Sequence, residues 1–440
     1  MKSKVGLFLT IILAGIGVGG FYFWKNFRGA APAFLPASIK AIRATSSLPF
    51  NVPEGFSISV YAKDLGTPRV LEADPLGNLL VSVPSEGKIM AIINQGENPS
   101  KIVTMIRGLN SPHGLVSHCY NVPQGDGAGV KEWCALLVAE ENRVSKFTYE
   151  KEEWNNFIAA DSDKNEPFAL AGEAELLVEL PGGGRHITRT ILFKPMRFDY
   201  EESPGTTGQL FISIGSACDV CHESDVKRAV IMKADIDFSR GPKAANMVVG
   251  EPKIYAKGLR NSVFMALNPE TEELWATEMG QDKLGDDLPP DEINIIRENQ
   301  NYGWPICYGK NIHDTVFDKN TYIRNPCLAP FEIPSQIDLP AHSAPLGLAF
   351  VPDSWGGEYE NDLLVAYHGS WNRSAPTGYK VARLIFDEQG NYTGSEDLIT
   401  GWLADDGKTA IGRPAGLLFG RSGELYVSDD KAGVVYKIIH

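Results

Sequence analysis

Histidine has an unperturbed pKa of about 6.5, so it can take a proton from a hydroxyl near neutral pH. The 440-residue chain has eight. Four stand at turn-forming residues: His113 between Pro112 and Gly114, His186 after Gly184-Arg185, His342 before Ser343, and His368 before Gly369-Ser370. His186 and His368 are the candidate bases, and His113 and His342 are loop residues that could line the same surface. A second set is cationic. Arg69, Arg260 with its neighbour Asn261, Arg373, Lys380 and Arg413 fall at turns or strand edges of a chain with 41 Lys and Arg against 55 Asp and Glu. Basic side chains kept at such places in an acidic protein suit the carboxylates of a bound anion. The third set is sulfur. Cys218-Asp-Val-Cys-His222 fits the attachment pattern for a c-type haem. It lies between two expected strands, however, and the chain has no spare segment for a cytochrome, so a local disulfide is the stronger expectation.

The charge excludes one class of partner. Met1 to Arg28 holds four bases and no acid, so the remaining body carries −18, against −14 for the whole chain. A body of that sign repels phosphate backbones, which argues against nucleic acid. Two lysines precede an uncharged apolar run from Val5 to Trp24, about the length that spans a bilayer as a helix. The run ends in Phe21-Tyr-Phe-Trp24, an aromatic cluster suited to the membrane interface, which favours an uncleaved anchor. A cleaved signal peptide is the alternative, since Ala30, Ala31 and Ala33 could serve a peptidase. Residues 1–28 are therefore expected to target the membrane, 29–49 to form an Ala/Pro/Ser-rich tether, and 50–440 to lie outside the cytoplasm, in the periplasm of a cell with two membranes. The six cysteines agree with export: Cys119 with Cys134, Cys218 with Cys221 and Cys307 with Cys327 form sequence-local pairs for three disulfides.

The body is built of a repeat. Six segments have an apolar strand with a leucine at its second position: Asn78–Ser82, Ala135–Ala139, Gln209–Ser213, Glu273–Thr277, Asp362–Ala366 and Glu424–Ser428. Their leucines, Leu79, Leu136, Leu210, Leu274, Leu363 and Leu425, are spaced by 57 to 89 residues. Each is flanked by further strand-like stretches, and no long segment after Trp24 sustains a helical period. A sheet of three or four strands repeated six times predicts an all-β, six-bladed β-propeller, with the 44 Gly and 28 Pro as its turn punctuation. The spacing exceeds a minimal blade of roughly 40 to 45 residues, so long loops must carry the chemistry-bearing residues. A two-sheet sandwich is the alternative, and it leaves the six similar units unexplained.

The longest informative stretch is Gly258-Leu-Arg-Asn-Ser-Val263, Leu267-Asn-Pro-Glu-Thr271, Leu274-Trp-Ala-Thr-Glu278, Gly280-Gln281, Asp291-Glu-Ile-Asn294 and Asn301-Tyr-Gly-Trp-Pro305. In order and spacing it resembles the quinoprotein sugar dehydrogenases, the soluble glucose, sorbosone and pyranose dehydrogenase group. The likeness continues in Gly184-Arg-His-Ile-Thr-Arg189, Gln209 to Glu223, Ala341 to Gly347, His368-Gly-Ser-Trp-Asn-Arg373, Gly378-Tyr-Lys380, Gly412-Arg-Pro414 and Ser428-Asp-Asp430. The His368 segment is nearer the sorbosone and pyranose branch. The resemblance implies a six-bladed propeller that oxidises a sugar or related alcohol or aldehyde, with pyrroloquinoline quinone (PQQ) as hydride acceptor and Ca²⁺ as its anchor. An external acceptor, a quinone or a cytochrome, would then take the electrons. It also implies that His186 is the base, with His368 as the second catalytic candidate. Arg69, His113, Arg260, Asn261, Arg373, Lys380 and Arg413 would hold the cofactor. The carbonyls of Gly280 and Gln281, with Asp291 nearby, would hold the metal. Three departures from the glucose enzyme stand out: Arg185 replaces an acid beside the base, Met279 a glutamine and Gln281 a proline. A non-catalytic binding propeller and a Ca²⁺-dependent lactonase-type hydrolase are the alternatives.

Overall fold

The computed structural model describes residues 31–32, 48–94, 99–123, 129–160, 166–196, 206–242 and 247–440. The apolar leader and most of the tether lie outside these. Among the described residues no helix is long and apolar enough to cross a membrane.

Six sheets carry the body, each with four antiparallel strands, and two of them are extended by a short parallel fifth strand. An opening strand, β1 (Ser57–Ala62), is set aside by the chain for use at the end. Blade 1 follows as β2 (Leu71–Ala73), β3 (Leu79–Val83), β4 (Lys88–Asn94) and β5 (Pro99–Arg107). Blade 2 is β6 (Leu115–Pro123), β7 (Val130–Ala139), β8 (Arg143–Glu150) and, after helix α1 (Lys151–Ala159), β9 (Glu175–Glu179). Blade 3 is β10 (Ile191–Pro195), β11 (Thr207–Ile214), β12 (Val230–Asp237) and β13 (Val248–Lys257). Blade 4 is β14 (Met265–Leu267), β15 (Leu274–Glu278), β16 (Asp291–Ile296) and β17 (Ile337–Leu339). Blade 5 is β18 (Pro345–Phe350), β19 (Leu363–Tyr367), β20 (Lys380–Phe386) and β21 (Tyr392–Ile399). Blade 6 is β22 (Pro414–Phe419), β23 (Leu425–Asp429) and β24 (Val434–Ile439), completed by β1, whose Ser57 pairs with Ile439. The two ends of the body thus share one blade. The first strands β2, β6, β10, β14, β18 and β22 each touch the next and close a ring.

The six expected leucines all lie on second strands, and all are buried. Strands β3, β15, β19 and β23 are buried along their whole length, because a second strand has neighbours in its own sheet and a blade packed on each face. This is why runs such as Leu-Leu-Val replace strict alternation. The three expected disulfides form, Cys119–Cys134 directly across β6 and β7, Cys218–Cys221 and Cys307–Cys327, and no described cysteine is free. Thioether attachment of haem at Cys218 and Cys221 therefore has no thiols to use.

Candidate active site

In an antiparallel blade, the start of the first strand, the end of the second and the start of the third share one end of the sheet. The segment entering each blade and the loop between its second and third strands therefore meet on one face of the ring. Arg69, His113, His186, Arg260 with Asn261, His342 and Arg413 occupy the entry segments of blades 1 to 6 in that order. Each blade thus offers one polar residue at the same structural place.

On the side made by blades 3, 4 and 5 a cavity of about 250 Å³ opens, lined by residues that include Arg185, His186, Arg260, Met279, Gly280 and Asp282. His342, Asn372 and the half-exposed Trp371 complete its wall. Arg260 is almost fully buried. Its Nη2 donates to Asp219 Oδ1 at 2.7 Å, its Nε to the Asp219 carbonyl at 2.8 Å and its Nη1 to the Met279 carbonyl at 3.2 Å. Asp282 lies 3.6 Å from the same guanidinium and accepts from Arg185 Nη2 at 2.5 Å and from Asn372 Nδ2 at 2.7 Å. Burial raises Asp282, with Asp219 adding to it. Asp219 moves the other way: although burial opposes it, the Asp282 amide and then Arg260 hold its carboxyl below the usual range. One ionised acid thus anchors the buried guanidinium.

Burial, reinforced by Arg260 and Arg185, pushes His186 down to about 3. The ring is neutral, with Nδ1 2.8 Å from Ser216 Oγ, and its Nε2 has no hydrogen-bond partner among the described residues. Burial and then Arg69 push His113 to about 3 as well, and its Nδ1 lies 2.9 Å from the Ser111 carbonyl. Imidazole resonances of His113 and His186 in the ligand-free protein should accordingly stay neutral and fail to titrate between pH 8 and pH 5. A midpoint near 6.5 for either would contradict the burial that sets them.

Gly280 sits where a Cβ would come within 2.7 Å of Pro289 Cγ and 2.8 Å of the Pro290 carbonyl. Its amide donates to Asp291 Oδ1 at 2.9 Å, while Asp291 Oδ2 accepts from the Ala344 amide at 2.9 Å and Ser343 Oγ at 3.1 Å. Asp291 is buried, which raises it to about 6, and its oxygens tie the loop to blade 5. The carbonyls of Gly280 and Gln281 receive no hydrogen bond from the described residues. The Gln281 side chain points away, donating to Asp314 Oδ2 at 2.7 Å.

Across the ring, blades 5, 6 and 1 bring a second group together. Arg69 pairs with Asp430, and His368 Nε2 lies 2.9 Å from Asp430 Oδ1. Arg413 reaches the Gly369 carbonyl at 2.7 Å and the His368 ring at 3.5 Å. Burial lowers His368 in spite of Asp430, while Asp430, against its own burial, is held below the ordinary carboxylate range by His368 and Arg69. The two shifts agree once the permanent charge of Arg69 is taken as the partner that keeps the acid ionised. Both nitrogens of His368 are engaged, so it lacks the open lone pair of His186.

Two expected ligands sit apart. Arg373 bonds the Asp286 and Ala341 carbonyls and Asp287 at the loop's rim. Lys380 pairs with Asp397 in a separate surface groove that is larger, about 590 Å³, but contains no histidine. The sequence reasoning did not single out Ser216, Asp219 or Asn372. Ser216 and Asp219 lie inside the motif from Gln209 to Glu223, and Asn372 inside His368 to Arg373, so their signal was motif membership alone.

A protein of Borreliella burgdorferi described only as uncharacterized is 30% identical over 414 residues, covering 92% of this chain and 93% of that one. The calcium structure of the Trichoderma reesei Carbohydrate-Active Enzymes family AA12 protein superposes with a TM-score of 0.67 at 21% identity, covering 89% of this chain and 96% of its own. The holo form of the pyranose dehydrogenase PQQ domain from Coprinopsis cinerea gives 0.66 at 20%, covering 89% and 97%. These structural likenesses show the shared six-bladed fold. The TrAA12-like family model matches residues 50–440, all six blades and their loops, and the chain belongs to that family.

Proposed function

We propose that this protein oxidises a sugar, or a related alcohol or aldehyde, with PQQ as its redox cofactor and Ca²⁺ as the cofactor's anchor. The observation that carries the reading is the cavity where His186 leaves Nε2 open beside two guanidiniums and beside a loop with two unengaged carbonyls. Proteins of the same fold include a calcium-containing family AA12 structure and a PQQ-bound pyranose dehydrogenase domain. The residues present fit both groups. Ca²⁺ takes carbonyl and carboxylate oxygens, and the Gly280 and Gln281 carbonyls would supply two of them. Arg185 and Arg260 would face the carboxylates of PQQ. When bound, PQQ supplies the hydride acceptor and Ca²⁺ polarises its carbonyl.

The chain's own part is the proton and the orientation. His186 Nε2 accepts the substrate hydroxyl proton as the adjacent carbon gives up its hydride. Arg185 and Asn372 hold Asp282 against the cavity wall, and Trp371 at the mouth offers an aromatic face to a sugar ring. Electrons then pass to an external quinone or cytochrome, from an exported protein tethered by its leader, a placement that the three disulfides favour.

Calorimetry of the purified protein with PQQ tests the binding half of this reading. Binding should require Ca²⁺ and should be lost with chelator; no heat at saturating cofactor and Ca²⁺ would contradict it. Gly280→Ala should weaken that binding at least tenfold, because the new methyl must displace the loop whose carbonyls hold the ion. Unchanged affinity would remove this loop from the metal site.

A further inference from the structure

We propose that Ser216 is the positioning residue of the active site: it fixes the proton of His186 on Nδ1 and so turns a lone pair at Nε2 toward the cavity. The inference rests on the reading of His186 as the base. A hydroxyl has one proton to donate. Ser216 Oγ donates it to the Cys218 carbonyl at 2.7 Å, so toward His186 the same oxygen can only accept. The His186 Nδ1 to Ser216 Oγ contact of 2.8 Å must therefore be an N–H donation from the ring. With Nδ1 protonated and the ring neutral, Nε2 holds the lone pair.

The surroundings hold this short chain of hydrogen bonds in place. Ser216 is fully buried, its amide donates to the Arg260 carbonyl at 2.8 Å, and its carbonyl accepts the His186 amide at 3.2 Å. The Arg185 amide donates to the Ala217 carbonyl at 2.8 Å alongside. Gly215 is what lets the two segments approach, since a Cβ there would lie 2.6 Å from His186 Cβ and 2.9 Å from Asn261 Oδ1. The terminal acceptor is braced twice. Cys218 is bonded to Cys221, and the next residue, Asp219, is gripped through its carbonyl and its carboxylate by Arg260. An acid beside the ring would fix the same tautomer while adding a negative charge. Here Arg185 precedes the histidine, and an uncharged hydroxyl does the orienting with no effect on the charge balance.

The test compares the wild type with Ser216→Ala and Ser216→Thr by nitrogen NMR of histidine-labelled, ligand-free protein and by steady-state kinetics of the PQQ- and Ca²⁺-loaded enzyme. The wild type should show His186 protonated at Nδ1. Ser216→Ala should shift the proton toward Nε2 and lower kcat by about 10- to 100-fold, the scale of losing a group that orients a working histidine. KM and PQQ affinity should hold, and Ser216→Thr should restore both the tautomer and most of the rate. An Nε2-protonated ring in the wild type, or an unchanged tautomer in Ser216→Ala, would overturn the proposal, as would a rate loss matched by lost PQQ affinity. The NMR readout decides this without turnover, so a protein that oxidised no sugar would sink the functional reading and still leave the Ser216 assignment to be read directly.

Discussion

His186→Ala should slow sugar oxidation by about 10²- to 10⁴-fold, the range for losing a general base, while PQQ and Ca²⁺ still bind. The split follows from geometry. His186 contributes an open Nε2 to the cavity and accepts no load from the ion-pair network, which runs through Asp219, Arg260, Asp282 and Arg185. Its low pKa of about 3 also fixes the pH behaviour of the ligand-free site, because the ring stays neutral, with the Nε2 lone pair unprotonated, throughout pH 5 to 8. Stopped-flow mixing of loaded protein with sugar separates the two effects, since cofactor occupancy is read before the sugar is added. A variant within tenfold of the wild-type rate would remove His186 from the chemistry.

Arg260→Ala should act on the fold first. The guanidinium is buried, and it is the counterion of Asp219 and the near neighbour of Asp282, both themselves largely buried. Removing one partner of such a pair leaves a carboxylate without compensation and costs about 3 to 5 kcal/mol. Three contacts to main chain and acid would go at once, so the segment from Ser216 to Asp219 would lose its clamp and PQQ binding would weaken as well. Urea unfolding monitored by tryptophan fluorescence checks the first part. A loss below about 1 kcal/mol would mean that the cluster contributes little to holding the blade 3 and blade 4 loops together. Arg373→Ala offers the contrast. Its ion pair with the exposed Asp287 is worth only about 0 to 1 kcal/mol, so any larger loss would come from the Asp286 and Ala341 carbonyls that the same guanidinium bonds.

The repeat was legible in the sequence because its signal is local. Leucine followed by small and branched apolar residues marks each second strand, and the physical reason, burial on both faces, is the same in every blade. The closure was not legible. Only the ring shows that Ser57–Ala62 completes the sheet begun by Pro414–Phe419. At the site, the family resemblance implied roles for His186, Arg260, Asn261 and Gly280, and all four line one cavity. Spacing could not show how their hydrogen bonds are used. His368 matches its motif as well as His186 does, yet both its nitrogens are engaged, while Asp291 spends its oxygens on amides and a hydroxyl. Lys380 ends a matching motif but opens a third strand, where it meets Asp397 on β21. Which donors and acceptors remain open depends on neighbours tens to hundreds of residues away, which no motif encodes. The leader lies outside the described residues.

The proposed transfer of hydride from a sugar to bound PQQ has an optical readout. The direct measurement is the absorbance of the oxidised quinone on purified protein supplied with PQQ and Ca²⁺, followed through the addition of a panel of aldoses and related polyols. At least one of them should bleach the quinone, and the bleaching should be abolished by chelator and slowed in His186→Ala. A quinone spectrum that binds and stays unchanged across the panel, or substrate turnover with no PQQ present, would contradict it.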